Sequence, residues 1–341
     1  MRRWLGWLWV AFLVSVPLWM TDLYYLHVLI ITGIFIIASM SLNLLLGYTG
    51  QLNLGQVGFF GIGAYTSALI SLGFELKLTD NFALAVDPHP AWLGFVFGVI
   101  LSGFAGWVVG RISFKIRGAY FVIVTISFAE VMRLVALNWV SLTQGPMALN
   151  NIPPFTVDIP GVWEAELYGK VPNYYIVLAV GVVSYIVIRR LVRSRLGRAM
   201  IALKENEPLA TSVGIDVTRY LVLAAVVSAA MAGAAGSLYA HYVRIIDPDV
   251  FLFIYTVTMV IMVITGGKGT LAGPIVGGLI FGVVPELLRD TTRPEVQWII
   301  YGGLMIAIVF FLPNGIVPAV HQWWRSRVSR AGVAVPLSEA P

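Results

Sequence analysis

The chain contains no cysteine, which removes disulfide frameworks and thiolate metal sites while leaving the compartment open. Charge is scarce too: Asp, Glu, Lys and Arg make up 11% of the 341 residues, against roughly 25% in soluble domains. The four histidines, His27, His89, His241 and His321, are scattered at the ends of apolar runs and show no metal-ligand spacing such as H-E-x-x-H. No Ser/His/Asp set and no paired carboxylates stand inside those runs, so catalysis has no visible home. A nucleotide-phosphate loop is missing as well. The stretch Gly266-Gly267-Lys268-Gly269-Thr270 resembles one, but a Walker pattern needs glycine five positions before Gly267 and Ser or Thr after Lys268. The residues there are Met262 and Gly269.

What is abundant is hydrophobic: 59% of residues, with a mean hydropathy of +0.86. A soluble protein of this size cannot hide so much apolar surface, so the composition predicts an all-α integral membrane protein, a polytopic helical bundle. A span takes about 20 apolar residues, and about ten candidates follow: 4–20, 24–46, 52–72, 92–111, 119–138, 173–191, 219–240, 251–265, 271–288 and 296–313. The net charge of +5 does not point to nucleic acid, because the basic residues cluster at span ends. With Arg111, Arg189, Arg190 and Arg219 counted with the loops they border, all but six of the 22 Lys and Arg fall on one side. The exceptions are Lys77, Arg133, Lys170, Arg244, Arg289 and Arg293. By the positive-inside rule this predicts an N-in, C-in topology. Met1-Arg2-Arg3 and the apolar run to Met20 read as a retained first span, since no small-x-small cleavage site follows. The transmembrane domain is expected over 1–320, with a cytoplasmic loop at 192–218, an external loop at 139–172 and a basic tail at 321–341. Trp323, Trp324, Arg325 and Arg327 of that tail read as a membrane-edge anchor followed by a loose end.

The most informative stretch is the polar island 197–217. Asn206-Glu207-Pro208 is a helix-start signature, a cap residue followed by proline in the first turn, and Gly214 is a stop. The spacing predicts a helix of about two turns, too short to be stable alone in water. Capped and cytoplasmic, it is suited to docking a soluble partner.

Three further patterns carry weight. Gly94, Gly98, Ser102, Gly106 and Gly110 recur every four residues and form a smooth face, for packing within the bundle or between subunits. The segment 41–64 mixes amides (Asn43, Gln51, Asn53, Gln56) and Tyr48 with six glycines. Broken backbone at membrane depth is tolerated inside protein or beside a water-filled cavity. Two readings therefore stand, a lining of the translocation pathway and a packed inter-span turn. Glycine-rich 266–273 sits similarly between two later spans. Glu130 and Arg133 lie three residues apart on one face of a span, either as a structural pair or with Glu130 on the pathway. Glu286 and Arg289 repeat the spacing near an interface.

The runs NLLLGYTGQLNLGQVGFFGIGAY (43–65), RGAYFVIVTISFAEVMRLVALNWVSLTQGPM (117–147), GRAMIALKENEPLATSVGIDVTRY (197–220) and GGKGTLAGPIVGGLIFGVVPELL (266–288) resemble the membrane subunits of branched-chain amino-acid ABC importers. The longer, LivM-type subunit is the nearer likeness, over about 30–315. The resemblance implies a coupling element, E-x-A-A-x-x-x-G, that inserts into a cleft of an ATPase subunit. Glu207, Ala210 and Gly214 match it and Leu209 replaces the first alanine; Asn206, Pro208 and Val213 complete the stretch. The resemblance also implies partners: a second, LivH-type permease, two cytoplasmic ATPases that hold ATP and magnesium, and an extracytoplasmic binding protein. No cofactor is expected in this chain. Branched-chain amino acids are the implied solute, with urea, short amides and aromatic acids carried by similar proteins, and the bacterial inner membrane is the implied location. An ion-coupled secondary transporter is the rival from another class, with Glu130 as its one candidate site.

Overall fold

The computed structural model describes residues 13–19, 22–79, 82–114, 119–159, 163–289 and 294–330. Long apolar runs without proline or charge become long helices. The first, α1 (Leu23–Asn43), is capped by the Asp22 side chain, which accepts from the Tyr24 amide. It runs on as a π-helical turn, Leu44–Thr49. After an irregular stretch follow α2 (Gln56–Leu72) and the antiparallel hairpin β1 (Phe74–Thr79) and β2 (Phe82–Val86). Next come α3 (Ala91–Ser113), α4 (Ala119–Asn138) and the single turn α5 (Val140–Thr143). A second hairpin, β3 (Thr156–Ile159) and β4 (Trp163–Glu166), leads to α6 (Lys170–Arg193). Two short helices, α7 (Arg195–Glu205) and α8 (Glu207–Ser212), precede the longest, α9 (Val217–Val243). The chain ends with α10 (Phe253–Gly266), α11 (Gly273–Arg289), α12 (Pro294–Phe311) and α13 (Ile316–Arg330).

Five helical segments among the described residues are long and apolar enough to cross a membrane: Leu23–Thr49, Ala91–Ser113, Tyr120–Asn138, Lys170–Arg193 and Val217–Val243. They are not equivalent. The first and last are 72% buried and the fourth only 17%, so α1 and α9 form the axis and α6 stands outside. Three shorter apolar helices, Gln56–Leu72, Phe253–Gly266 and Gly273–Val283, complete the interior. The predicted first span at 4–20 is described only at 13–19, which are helical; Tyr174 and Tyr175 donate to the carbonyls of Leu13 and Val14.

Small residues set the packing of α2, α3 and α9. Gly94 of the α3 ladder faces Ser67 and Ser71, Gly98 faces Gly63 and Ser237, and Gly106 and Gly110 face Ala229 and Ala225. Ser102 donates to the Phe59 carbonyl (3.0 Å) and touches Gly233. The ladder is therefore spent inside the bundle, on α2 and α9. Any side chain larger than hydrogen on Gly236 would meet the backbone of Phe60, so the approach is as close as two helices allow.

The architecture corrects the sequence reading in three places. The bundle is not purely helical, because the loop expected at 139–172 and the segment between α2 and α3 each carry a two-stranded hairpin. Alternation in Phe74-Glu75-Leu76-Lys77-Leu78 is a strand period hidden beside much stronger helical signals. The break expected at 47–51 falls instead at 50–55, because the π turn carries α1 on to Thr49. The segment after α9, expected as an outer loop, turns back into the bundle at Pro248–Phe251, where the Phe251 ring stacks on Tyr65 (5.7 Å between centroids) and touches Gly61. The stretch expected as a membrane-edge anchor lies within a helix that runs to Arg330, with Trp323 and Trp324 exposed. The side chains of Glu286, Arg289 and Arg327, and residues 331–341, lie outside the description.

Candidate functional site

The polar island folds as two helices. Ser194 ends α6 and starts α7, its hydroxyl oxygen accepting from the amides of Leu196 (3.1 Å) and Gly197 (3.4 Å). One face of α7 buries Gly197, Ala199, Met200 and Leu203; Leu196 and Ile201 face out. The sequence reading missed this helix, although the Ser194 cap and the apolar series Leu196, Met200, Leu203 are its signal. Asn206 then caps α8 by accepting from the Leu209 amide (3.0 Å), with Pro208 in the first turn. Gly214 ends it in the left-handed region (φ +87°), donating to the Thr211 carbonyl (2.9 Å). Asp216 caps α9 through the Arg219 amide (3.1 Å). Within α8 only Ala210 is turned inward; Leu209 and Val213 are 62% and 71% exposed. Two large apolar side chains held outward by four successive capping signals make a knob fit to enter a cleft.

Beneath this knob lie the two glycine-rich segments, and they meet. Asn43 at the end of α1 clasps the later one, accepting from the Gly269 amide (2.9 Å) and donating to the Thr270 carbonyl (2.8 Å). Gly47 lies directly on Gly269, and the φ of +76° at Gly269 suits glycine. Lys204 of α7 closes the third side: its stem packs on Gly50 and its ammonium ends beside Gly269. Of the two short helices, α7 thus rests directly on both glycine segments.

Deeper, the break between α1 and α2 is stitched by amides. Gln56 is fully buried; its amide nitrogen donates to the hydroxyls of Ser41 (2.7 Å) and Ser228 (3.1 Å), and its oxygen accepts from Asn53 (2.7 Å). Asn53 also accepts from the Gly55 amide (2.9 Å). Free amides after the break find hydroxyls on other helices: Leu54 on Thr125 (3.3 Å) and Val57 on Thr256 (3.1 Å). An unpartnered backbone amide here would cost several kcal/mol in a bilayer. One polar knot therefore ties α1, α2, α4, α9 and α10 together. Of the residues expected on the pathway, Asn43, Tyr48, Asn53 and Gln56 are buried and Gln51 is half-buried.

Glu130 lies apart from this knot. Its carboxylate accepts from Arg133 at Nε (3.0 Å) and Nη2 (2.8 Å), on the outward side of α4. Half of the Glu130 side chain is exposed.

A family model described as "Branched-chain amino acid transport system / permease component" matches residues 24–309. The chain is 31% identical to the high-affinity branched-chain amino acid transport system permease protein LivM of Salmonella typhimurium, over 88% of its own length and 71% of the relative's. Against LivM of Escherichia coli the identity is also 31%, over 84% and 68%. Against LivH of Salmonella typhimurium it is 27%, over 80% and 87%. No solved structure matches the chain. The match spans α1 to α12, glycine segments, the exposed α8 knob and ladder included, and the chain is a helical membrane protein that belongs to the branched-chain amino acid transport system permease family.

Proposed function

We propose that this chain is one of two membrane-spanning permeases of an ATP-driven importer that carries branched-chain amino acids across the bacterial inner membrane. The carrying observation is the seat of the two short helices: Leu209 and Val213 stand outward at α8, and α7, which leads straight into it, rests beside the Asn43–Gly269 clasp through Lys204. A partner that grips Leu209 and Val213 pulls through α8 on α7, which touches both glycine segments, so docking and the bundle share one mechanical unit. Two packings of that unit give alternating access, with each ATPase state favouring one of them through differential contacts. ATP and magnesium belong to the ATPases, one gripping this chain and one the second permease. An extracytoplasmic binding protein delivers the solute.

The full reading has about ten spans, N-in and C-in, so that residues 192–218 face the cytoplasm and 139–172 the outside, over a transmembrane domain of 1–320 and a basic tail at 321–341. Glu207, Ala210 and Gly214 carry the coupling element, with Asn206 and Pro208 setting its start. Asn43, Tyr48, Gln51, Asn53 and Gln56 act as the hinge that repacks when the pathway opens. The test is uptake of labelled leucine by liposomes holding this chain, the second permease, both ATPases and the binding protein. Uptake requiring ATP and blocked by vanadate is expected; uptake driven by an ion gradient without ATP would refute the reading.

A further inference from the structure

The outward faces of the long helices differ in one respect. On α3 the outward residues Trp92, Val96, Phe97, Ile100 and Phe104 are all apolar, and on α6 so are Val183, Ile186 and Val187. Both are faces that acyl chains can cover. On α4 the outward residues Ile123, Val131, Leu134 and Val135 surround Glu130 and Arg133. Beside α4 the turn Pro248–Phe251 adds Asp247 and Asp249, both exposed, neither carboxylate with a hydrogen-bond partner among the described residues. Asp249 is near enough to Arg133 to act on it electrostatically, and Asp247 does so on Tyr65, Tyr239 and Tyr255.

Glu130 stands near mid-height of the bundle, and Asp247 nearer its end, next to Ile246, whose backbone pairs with Leu149. Gly58, two residues past Gln56, packs on Phe128 and Ala129, which places Glu130 one step further along. Gln56 is level with Ser228, near the middle of the 27-residue α9. Phe251 touches Gly61 and Tyr65, halfway along α2. Lipid tails cannot solvate an exposed carboxylate at such a depth, and ionisable groups there face protein or water.

We propose that the face formed by α4 and the 247–252 turn is the seat of the second permease, with Glu130, Arg133, Asp247 and Asp249 lining a water-filled seam between the two subunits. The inference rests on the two-permease reading above. The occupant is a permease of the same fold, because this chain is similar to both LivM and LivH proteins. Two related subunits meet most simply through equivalent faces about a pseudo-twofold axis. Apolar residues around the charges then form the dry contact, and the charges face the axis, where the solute passes.

The absence of cysteine makes the test direct, since single cysteines need no prior removal of native ones. Nitroxide labels are placed at Ile123→Cys, Val131→Cys and Leu134→Cys on α4, and at Val96→Cys and Ile100→Cys on α3, in the assembled importer in lipid nanodiscs. All are exposed positions, and normal ATPase activity selects folded complexes. Oxygen collision rates, which report lipid contact, are expected to be at least threefold lower on α4 than on α3. Asp249→Cys is expected to react with a membrane-impermeant maleimide. Oxygen rates on α4 equal to those on α3, or an unreactive Asp249→Cys, would overturn the proposal. If no second permease co-purifies, the two-permease reading itself fails before any label is read.

Discussion

At the scale of single residues, two positions carry clear physical consequences. Among the described residues, Asn43 is the only side chain joining the Gly269 amide and the Thr270 carbonyl to α1. Asn43→Ala leaves both groups without that partner, at about 1–3 kcal/mol for a buried unsatisfied group. A lowered melting midpoint in detergent is the expected result, and an unchanged midpoint would show that the clasp holds nothing. Gly214 is a case of conformation without contact: its φ is +87° and nothing lies within 4 Å of where a Cβ would sit. Gly214→Ala should cost about 1–2 kcal/mol through the left-handed backbone alone and slow uptake. Gly214→Pro should abolish uptake, because proline fixes φ near −65° and removes the donor to Thr211. Equal uptake in the two variants would show that backbone conformation at this point is irrelevant to coupling. The capping signals around these residues act over three or four positions, so Asn206, Pro208 and Gly214 were legible without any knowledge of the fold.

At the scale of elements, the contrast between buried and exposed helix faces separates folding from docking. Gly236 of α9 lies against the backbone of Phe60; Gly236→Leu forces α2 and α9 apart and should yield aggregated protein on size-exclusion chromatography. Leu209→Asp with Val213→Asp touches only exposed side chains. That variant should keep the wild-type elution volume and melting midpoint, yet fail to retain the ATPases on co-purification. Retention at the wild-type level would remove α8 as the docking element. Elements were legible unevenly. The spans at 24–46, 92–111, 119–138, 173–191 and 219–240 each correspond to a long helix, since twenty apolar residues leave no other choice. The hairpins, α7 and the 248–251 turn were not, because each is a short segment whose conformation is decided by the neighbours it lies against.

For the whole molecule, the distribution of Lys and Arg predicts sidedness, and the bundle provides places to probe it. Asn150 is exposed in the segment between α5 and β3, and Ser212 is exposed at the end of α8. In intact cells an impermeant maleimide should label Asn150→Cys and leave Ser212→Cys unmodified until the membrane is permeabilised. The reverse pattern would invert the topology and place the docking knob where no ATPase could reach it.

Sequence by itself determined that this is a multi-span helical membrane protein, where α8 starts and stops within the polar island, and which family it resembles. Those properties follow from composition, from charge at span ends and from short-range capping, all local quantities. Tertiary structure alone decided that Asn43 belongs with Gly269, that Gln56 belongs with Ser41 and Ser228, and that α7 rests on both glycine segments. It also decided that the charges of α4 and the 247–252 turn share one side. Each of these pairings joins residues that are far apart in the chain or on separate helices, and a hydrogen-bonding side chain carries no mark of which distant partner will satisfy it.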